Sequence, residues 1–284
     1  MQWLQQLNES LQYIEDHLEG EISFQKAARI ACCSTYHYQR MFTYIVGVPL
    51  SEYIRHRRLT KAAFDLQHGD KVLDVALRYG YESPTSFNRA FQNLHGITPS
   101  AAHKEDIQLK AYPRINFTIT IKGETEMNYR IVTKEAFRVV GAGIQLPKDT
   151  DSNMQEIPKF WGKVNQEGLI PRLCTLINQE PAGVLGVCGC GDQDESWRYY
   201  IAVATDKAVP QGLEEYTVPA CTWAIFPGSG SLPNAIQELQ KKIVAEWLPT
   251  SGYEYADAPD IEVYLTAGPG PVDFEVWVPV TREA

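Results

Sequence analysis

One pattern of residues occurs twice between residues 27 and 96, at an offset of 49. Ala27 falls on Ala76, Ser34 on Ser83, Tyr38 on Phe87, Arg40 on Arg89, Phe42 on Phe91 and Gly47 on Gly96. Each copy reads Ala-x6-Ser-x5-Arg-x-Phe-x4-Gly, so one supersecondary unit is used twice. Each predicts a short helix, a break (Ala31-Cys32-Cys33; Gly80-Tyr81-Glu82), a Ser placed to cap the next helix, and a second amphipathic helix. That is the pattern of a helix-turn-helix. Leu50 to Gln67 between them reads as one helix of about 18 residues, or about 27 Å, close to the ~34 Å of one DNA turn. The spacing predicts both second helices entering successive major grooves on one face.

The rest of the first hundred residues is helical in pattern. Leu4, Leu7, Leu11, Ile14 and Leu18 recur at three-to-four spacing, and Gly20, Gly47-Val48-Pro49, Gly69, Gly80 and Gly96-Ile97-Thr98-Pro99 mark helix ends. From about Ile115 the pattern changes to strand-like alternation over 117–121, 129–132 and 137–140. A helix over Met154–Glu167 and strands over 184–190 and 197–204 follow. The order then returns as strands at 216–218 and 222–226, a helix over 233–247, and strands at 261–265 and 274–278. The expected fold is an all-α N-terminal domain with two helix-turn-helix units (1–108), a linker (109–126) and a pseudo-symmetric α+β domain (127–284). Two helices against antiparallel sheets would leave a cleft between its halves.

Charge supports this division. The chain carries a net charge of −9, yet residues 1–110 hold 12 basic and 12 acidic side chains, whereas 111–284 hold 14 and 23. All six His lie at or before His103. A neutral domain can bind DNA if its basic residues share one face, whereas the acidic half has no reason to lie along phosphates. No run approaches the ~18 apolar residues of a membrane span, and residues 1–6 lack the basic-then-apolar pattern expected of a signal peptide. With adjacent Cys32 and Cys33, reduced thiols and a cytoplasmic location are expected.

The second helix of a helix-turn-helix reads bases with its N-terminal half. That nominates Thr35, Tyr36, Gln39 and Arg40 in the first unit and Thr85, Asn88 and Arg89 in the second. Gln suits adenine and Arg suits guanine, at about 1–3 kcal/mol of discrimination per bidentate pair. Arg55, Arg57, Arg58 and Lys61 on the linking helix are placed for phosphates, which position a protein without reading sequence. A single Arg is more often a solvated helix charge, and it is the repeat that raises Arg40 and Arg89 above that reading.

The stretches Ser34–Phe42, Tyr53–Leu59, Ala76–Tyr81 and Phe87–Phe91 resemble the AraC/XylS family of bacterial transcription regulators, nearest its Rob-like subgroup, over residues 3–103. The resemblance implies binding to double-stranded promoter DNA and activation by recruiting RNA polymerase. Pro84 and Thr85 stand where close relatives carry two Gln, which puts base readout by the second unit in doubt. The segments Ala224–Gly228, Glu246–Tyr253, Ile261–Tyr264 and Phe274–Pro279 resemble the GyrI-like effector-binding domain over roughly 127–281. That resemblance implies a cleft for bulky, often cationic, aromatic compounds, with acidic residues at Glu262 and Glu275.

The residues themselves point the same way. Glu262 and Glu275 lie in apolar strands, sharing faces with Tyr264 and Trp277 respectively. A carboxylate among aromatics is costly unless a cation meets it, and aromatic faces attract cations by about 0.5–2 kcal/mol. Trp161, Trp223, Phe226, Tyr199 and Tyr200 are candidates to complete the wall, and the plain alternative is that the aromatics are core and the Glu residues edge charges. A rival function is hydrolysis of electrophilic drugs, with Glu275 or Glu262 activating water. Cys188-Gly189-Cys190 with Asp192 and Asp194 has poor spacing for zinc, so no metal or cofactor is expected. Without a heptad run, and with two DNA readers in one chain, a monomer is expected.

Overall fold

The computed structural model describes residues 2–104, 106–118, 126–147, 150–189, 196–265 and 270–282. It forms two compact units, one of residues 2–31 and 48–120 and the other of 32–47 and 121–284. The first is helical, with α1 (Gln2–Asp16), α2 (Phe24–Ile30), and, after α3 (Thr35–Val46) of the other unit, α4 (Leu50–Gln67), α5 (Val72–Arg78) and α6 (Pro84–His95). Leu59, Ala62, Ala63 and Leu66 of α4 bury against Val75 and Ala76 of α5, Tyr79 at its C-terminal cap, and Phe87, Phe91 and Leu94 of α6.

The repeat fixes the helix ends. The hydroxyls of Ser34 and Ser83 accept from the backbone N–H of His37 and Ser86, each three residues on. Gly47 and Gly96 close α3 and α6 at φ +80° and +78°, a left-handed conformation that glycine adopts without steric cost.

Two expectations at the junction are corrected. Phe117 and Thr118 form no strand: Phe117 is buried and its backbone exchanges hydrogen bonds with the Asn8 amide, while 119–121 lie outside the described residues. Nor is the described part of 109–118 a loose linker. Lys110 N–H donates to His95 Nδ1 and Tyr112 N–H to Thr60 Oγ1, which fastens the segment to the helical unit.

The second unit contains β1 (Arg130–Lys134), β2 (Phe137–Pro147), α7 (Thr150–Gln166), α8 (Leu169–Cys174), β3 (Val184–Gly189), β4 (Ser196–Ala204), β5 (Glu214–Val218) and β6 (Cys221–Gly230). It continues with α9 (Asn234–Lys242), a π turn at Ile243–Trp247, α10 (Leu248–Ser251), β7 (Tyr253–Tyr255), β8 (Asp260–Tyr264) and β9 (Val272–Arg282). The strand order β1-β6-β9-β8-β3-β4-β2-β5, antiparallel throughout, reads the same from either end once the halves are exchanged. The halves therefore share one continuous sheet joined at β3–β8, rather than packing as two sheets. The alternating pleat gives the central strand β4 two buried faces: Tyr199, Ile201 and Val203 join one core cluster, and Tyr200, Ala202 and Ala204 the other.

Candidate functional site

A cavity of about 920 Å³ is lined by residues of the central β3–β8 pair, with α7 and α9 contributing two further walls and α3 a third. In the β3–β8 register Gly186 faces Glu262 and Cys188 faces Asp260, so both carboxylates lie on the cavity side. The Glu262 carboxylate accepts from Gln240 Nε2 at 2.7 Å, Tyr264 OH at 2.8 Å and Arg40 Nη2 at 3.5 Å. Trp161 Nε1 donates to Tyr199 OH at 2.8 Å, and the Trp161 and Tyr264 rings meet edge to face at 5.0 Å. Burial pushes the Tyr199 and Tyr264 hydroxyls well above the ordinary tyrosine value, so both stay protonated. Asn153, also in the wall, is buried with neither amide atom hydrogen-bonded among the described residues.

Of the nine predicted ligand residues, Glu262, Tyr264, Trp161 and Tyr199 therefore meet in one cavity. Of the rest, Glu275, Trp277, Trp223 and Tyr200 point to the opposite face of the sheet, whereas Phe226 shares the face of Glu262 through Val276 and does not line the cavity. Glu275 pairs with Val263 rather than Glu262 and lies on the far face, held by Arg130 at 2.8 Å and by Trp277 Nε1 at 2.8 Å. Trp277, Trp223 and Tyr200 belong to the core cluster of that face. Phe226 packs against Trp247 at 4.9 Å. Asp260 and Gln240 are absent from the sequence reading: Asp260, two residues before Glu262, carries the alternation signal that would have placed it on the same face, whereas only the α9 wall brings Gln240 to Glu262.

Glycine at 186 lets the floor close. A Cβ there would stand 2.4 Å from Tyr199 Oη and 3.1 Å from Glu262 Oε2, both closer than ordinary contact. Gly186→Ala should displace the Tyr199 ring, costing about 1–3 kcal/mol of stability and most of any ligand affinity. Chemical denaturation and titration of the same sample would check both, and an unperturbed variant would mean the floor is adaptable.

The predicted base readers of the first repeat lie in this second unit. Tyr36 and Gln39 are buried, Thr35 is half-buried, and Arg40, with 16% of its side chain exposed, donates from Nη1 to Asp260 Oδ2 at 3.0 Å and to Tyr36 OH at 2.9 Å. Their placement as outward base readers is corrected for this structure, because the carboxylates of β8 offer Arg40 a stronger partner than water. Burial disfavours the guanidinium charge, but Tyr36, Tyr44, Asp260 and Glu262 outweigh it and raise its pKa well above the ordinary value. Burial would likewise raise the Asp260 carboxyl, yet His37, 3.4 Å away, and Arg40 hold it below the ordinary aspartate range.

In the helical unit the residues nominated from the second repeat reach solvent. Thr85, Asn88 and Arg89 are exposed on α6, and Thr85 and Arg89 line a cleft of about 520 Å³ with Arg55 of α4. Arg57 and Arg58 are corrected. Arg57 is bound to the buried carboxylate of Glu15 through Nε and Nη2 at 2.9 and 2.8 Å, and Arg58 donates to the carbonyls of Leu18 and Gly20 beyond α1. Lys61 is half-buried. Cys188 lines the cavity, whereas Cys190, Asp192 and Asp194 lie outside the described residues. Among the described residues no group of His, Cys, Asp and Glu could hold a metal, and no helix is long and apolar enough to cross a membrane.

Helix-turn-helix repeats and a walled cavity in one chain define the class of a transcription regulator with an effector-binding domain, and comparison with known proteins agrees. Residues 27–105 match the helix-turn-helix domain family, and residues 130–280, more than half the chain, match the family described as integron-associated effector binding protein. The chain belongs to the AraC/XylS transcription regulators, with an AraC-type helix-turn-helix domain and a GyrI-like effector-binding domain. It is 40% identical over 101 residues to the HTH-type transcriptional activator AarP of Providencia stuartii, covering 35% of this chain and 75% of that one. It is 26% identical over 292 residues to the right origin-binding protein of Escherichia coli K12, covering 97% and 98%. The solved structure of SAV2435 bound to tetraphenylphosphonium has a TM-score of 0.49 and 25% identity, covering 55% of this chain and 94% of that one.

Proposed function

We propose that this regulator senses a hydrophobic aromatic cation in the β3–β8 cavity and passes binding on to transcription at promoter DNA. The carrying observation is the pairing of two carboxylates, Asp260 and Glu262, with the aromatic walls of Trp161, Tyr199 and Tyr264 in one cavity. Its volume suits a drug-sized ligand, and buried carboxylates beside ring faces favour positive charge over a neutral ligand of the same shape. AarP is a transcriptional activator, and the same sign is proposed here, through recruitment of RNA polymerase by a monomer. Binding rather than turnover is proposed, since Gln240, Tyr264 and Arg40 already engage the Glu262 carboxylate. Titration with tetraphenylphosphonium and neutral triphenylphosphine oxide, followed by tryptophan fluorescence with Trp161→Phe as the control for the cavity signal, tests the reading. Saturable binding that favours the cation supports it, and equal affinity or none overturns it.

On the DNA side, the exposed α6 residues support base readout by the second repeat. Arg89→Ala should cost about 1–3 kcal/mol on specific DNA and relax one base position, while Arg55→Ala should weaken specific and random duplexes alike and lower the salt slope by about 1. Equal losses on both duplexes for Arg89→Ala would reassign it to phosphate.

A further inference from the structure

Tyr36, Arg40 and Tyr44 recur every four residues, so they form one stripe of α3, and that stripe is the third wall of the cavity. The Arg40 guanidinium carbon lies 5.7 Å from the Tyr36 ring centre and 5.5 Å from that of Tyr44. Its two terminal nitrogens reach Asp260 at 3.0 Å and Glu262 at 3.5 Å. A cation held by two carboxylates and two aromatic rings is thus already in place, and it belongs to the protein. We infer that Arg40 is a built-in competitor for the ligand's cation site, and that an organic cation displaces it and frees Tyr36 and Arg40 of α3 for DNA. This rests on the cation-site reading above.

Displacement, rather than binding alongside, follows from how the carboxylate oxygens are used. Glu262 Oε1 faces Gln240 and Arg40, Glu262 Oε2 accepts from Tyr264, Asp260 Oδ2 accepts from Arg40, and Asp260 Oδ1 faces His37. Three of the four oxygens accept hydrogen bonds, whereas Asp260 Oδ1 only approaches His37 Nε2, at 3.4 Å, and has no hydrogen-bond partner among the described residues; a second cation within a few Å of the guanidinium would be repelled by it in a medium of low dielectric. Arg40 is the long, flexible partner and the one whose charge the ligand replaces. The same side chain cannot hold Asp260 and a guanine at once, so ligand and DNA both draw α3 in one direction and the apo cavity draws it in the other.

The test uses the full chain and reads α3 directly, by hydrogen exchange of peptides spanning 35–46 followed by mass spectrometry, alongside tetraphenylphosphonium affinity. Arg40→Met should accelerate α3 exchange without any ligand. If the latch is closed nine-tenths of the time, it should also tighten tetraphenylphosphonium about tenfold, because removing a competing state raises apparent affinity by the inverse of the competent fraction. Asp260→Asn should accelerate the same peptides but weaken the cation, and tetraphenylphosphonium should accelerate them in the unmodified protein. Arg40→Lys, which keeps a charge, should fall between. Unchanged exchange in Arg40→Met overturns the latch whatever the cation does. Faster exchange with no gain in cation affinity overturns the competition. Failure of tetraphenylphosphonium to bind either protein identifies the cation-site reading itself as the failed step and removes the competition with it, while the exchange arm still reports whether Arg40 fastens α3.

Discussion

Glu262→Gln should lower affinity for tetraphenylphosphonium by about 2 kcal/mol, roughly 30-fold, and change affinity for triphenylphosphine oxide by less than about threefold. The substitution keeps shape and hydrogen bonding and removes only charge. A glutamine there can accept from Gln240 Nε2 through its oxygen and donate to Tyr264 OH through its nitrogen, so the two short contacts at 2.7 and 2.8 Å persist in kind. The loss therefore falls on the ligand's charge. Arg40 depends mainly on Asp260, at 3.0 Å against 3.5 Å to Glu262, so its own hold is less affected than the ligand's. Glu275→Gln is the matched comparison. Its carboxylate lies on the opposite sheet face against Arg130, and the variant should leave both affinities as they are. A preference for the cation that survives Glu262→Gln, or that disappears in Glu275→Gln, would move the charge recognition elsewhere.

That pair of glutamates also shows what the sequence could and could not disclose. The repeat made the caps of α3 and α6 legible to the residue, because Ser34, Ser83, Gly47 and Gly96 act through contacts within a few residues of themselves. The doubled strand-strand-helix-strand-strand order was legible for a similar reason, since alternation and helical periodicity are local. Register is not local. Tyr199 and Tyr200 were nominated together, yet adjacent strand residues must face opposite ways, and which of them meets the cavity is decided by the partner strands β2 and β3. Arg40 and Arg89 occupy matching places in the repeat and differ in surroundings. Arg89 meets solvent on α6, whereas Arg40 meets Asp260, 220 residues away, and nothing within the repeat anticipates a carboxylate supplied from so far along the chain.

Arg57 presents the same lesson with a larger energy, and Arg57→Met should destabilise the helical unit by about 3–5 kcal/mol. Its partner Glu15 keeps only 7% of its side chain exposed and accepts from Arg57 Nε, Arg57 Nη2 and Tyr53 OH at 2.9, 2.8 and 2.7 Å. Removing the guanidinium leaves a buried carboxylate with one hydroxyl donor and only Arg114 as a nearby positive charge, which costs far more than breaking an exposed pair would. Arg57 Nη1 also donates to the carbonyl of Tyr112, so the variant unfastens the segment that follows α6. In calorimetry the helical transition should fall by more than about 10 °C, and the double variant Glu15→Met/Arg57→Met should recover much of it, because no charge is then left without a partner. The pH dependence has a definite sign. Burial raises the Glu15 carboxyl, but Arg57 and Tyr53 outweigh it and hold it below the ordinary glutamate value. The stability it contributes is complete above that ordinary value and drains away as pH falls through the depressed one, and the Arg57→Met protein should lose this acid sensitivity. If Arg57 were instead a phosphate contact, the variant would keep its melting temperature and lose about one unit of salt slope in DNA binding, so a single calorimetric scan separates the two roles.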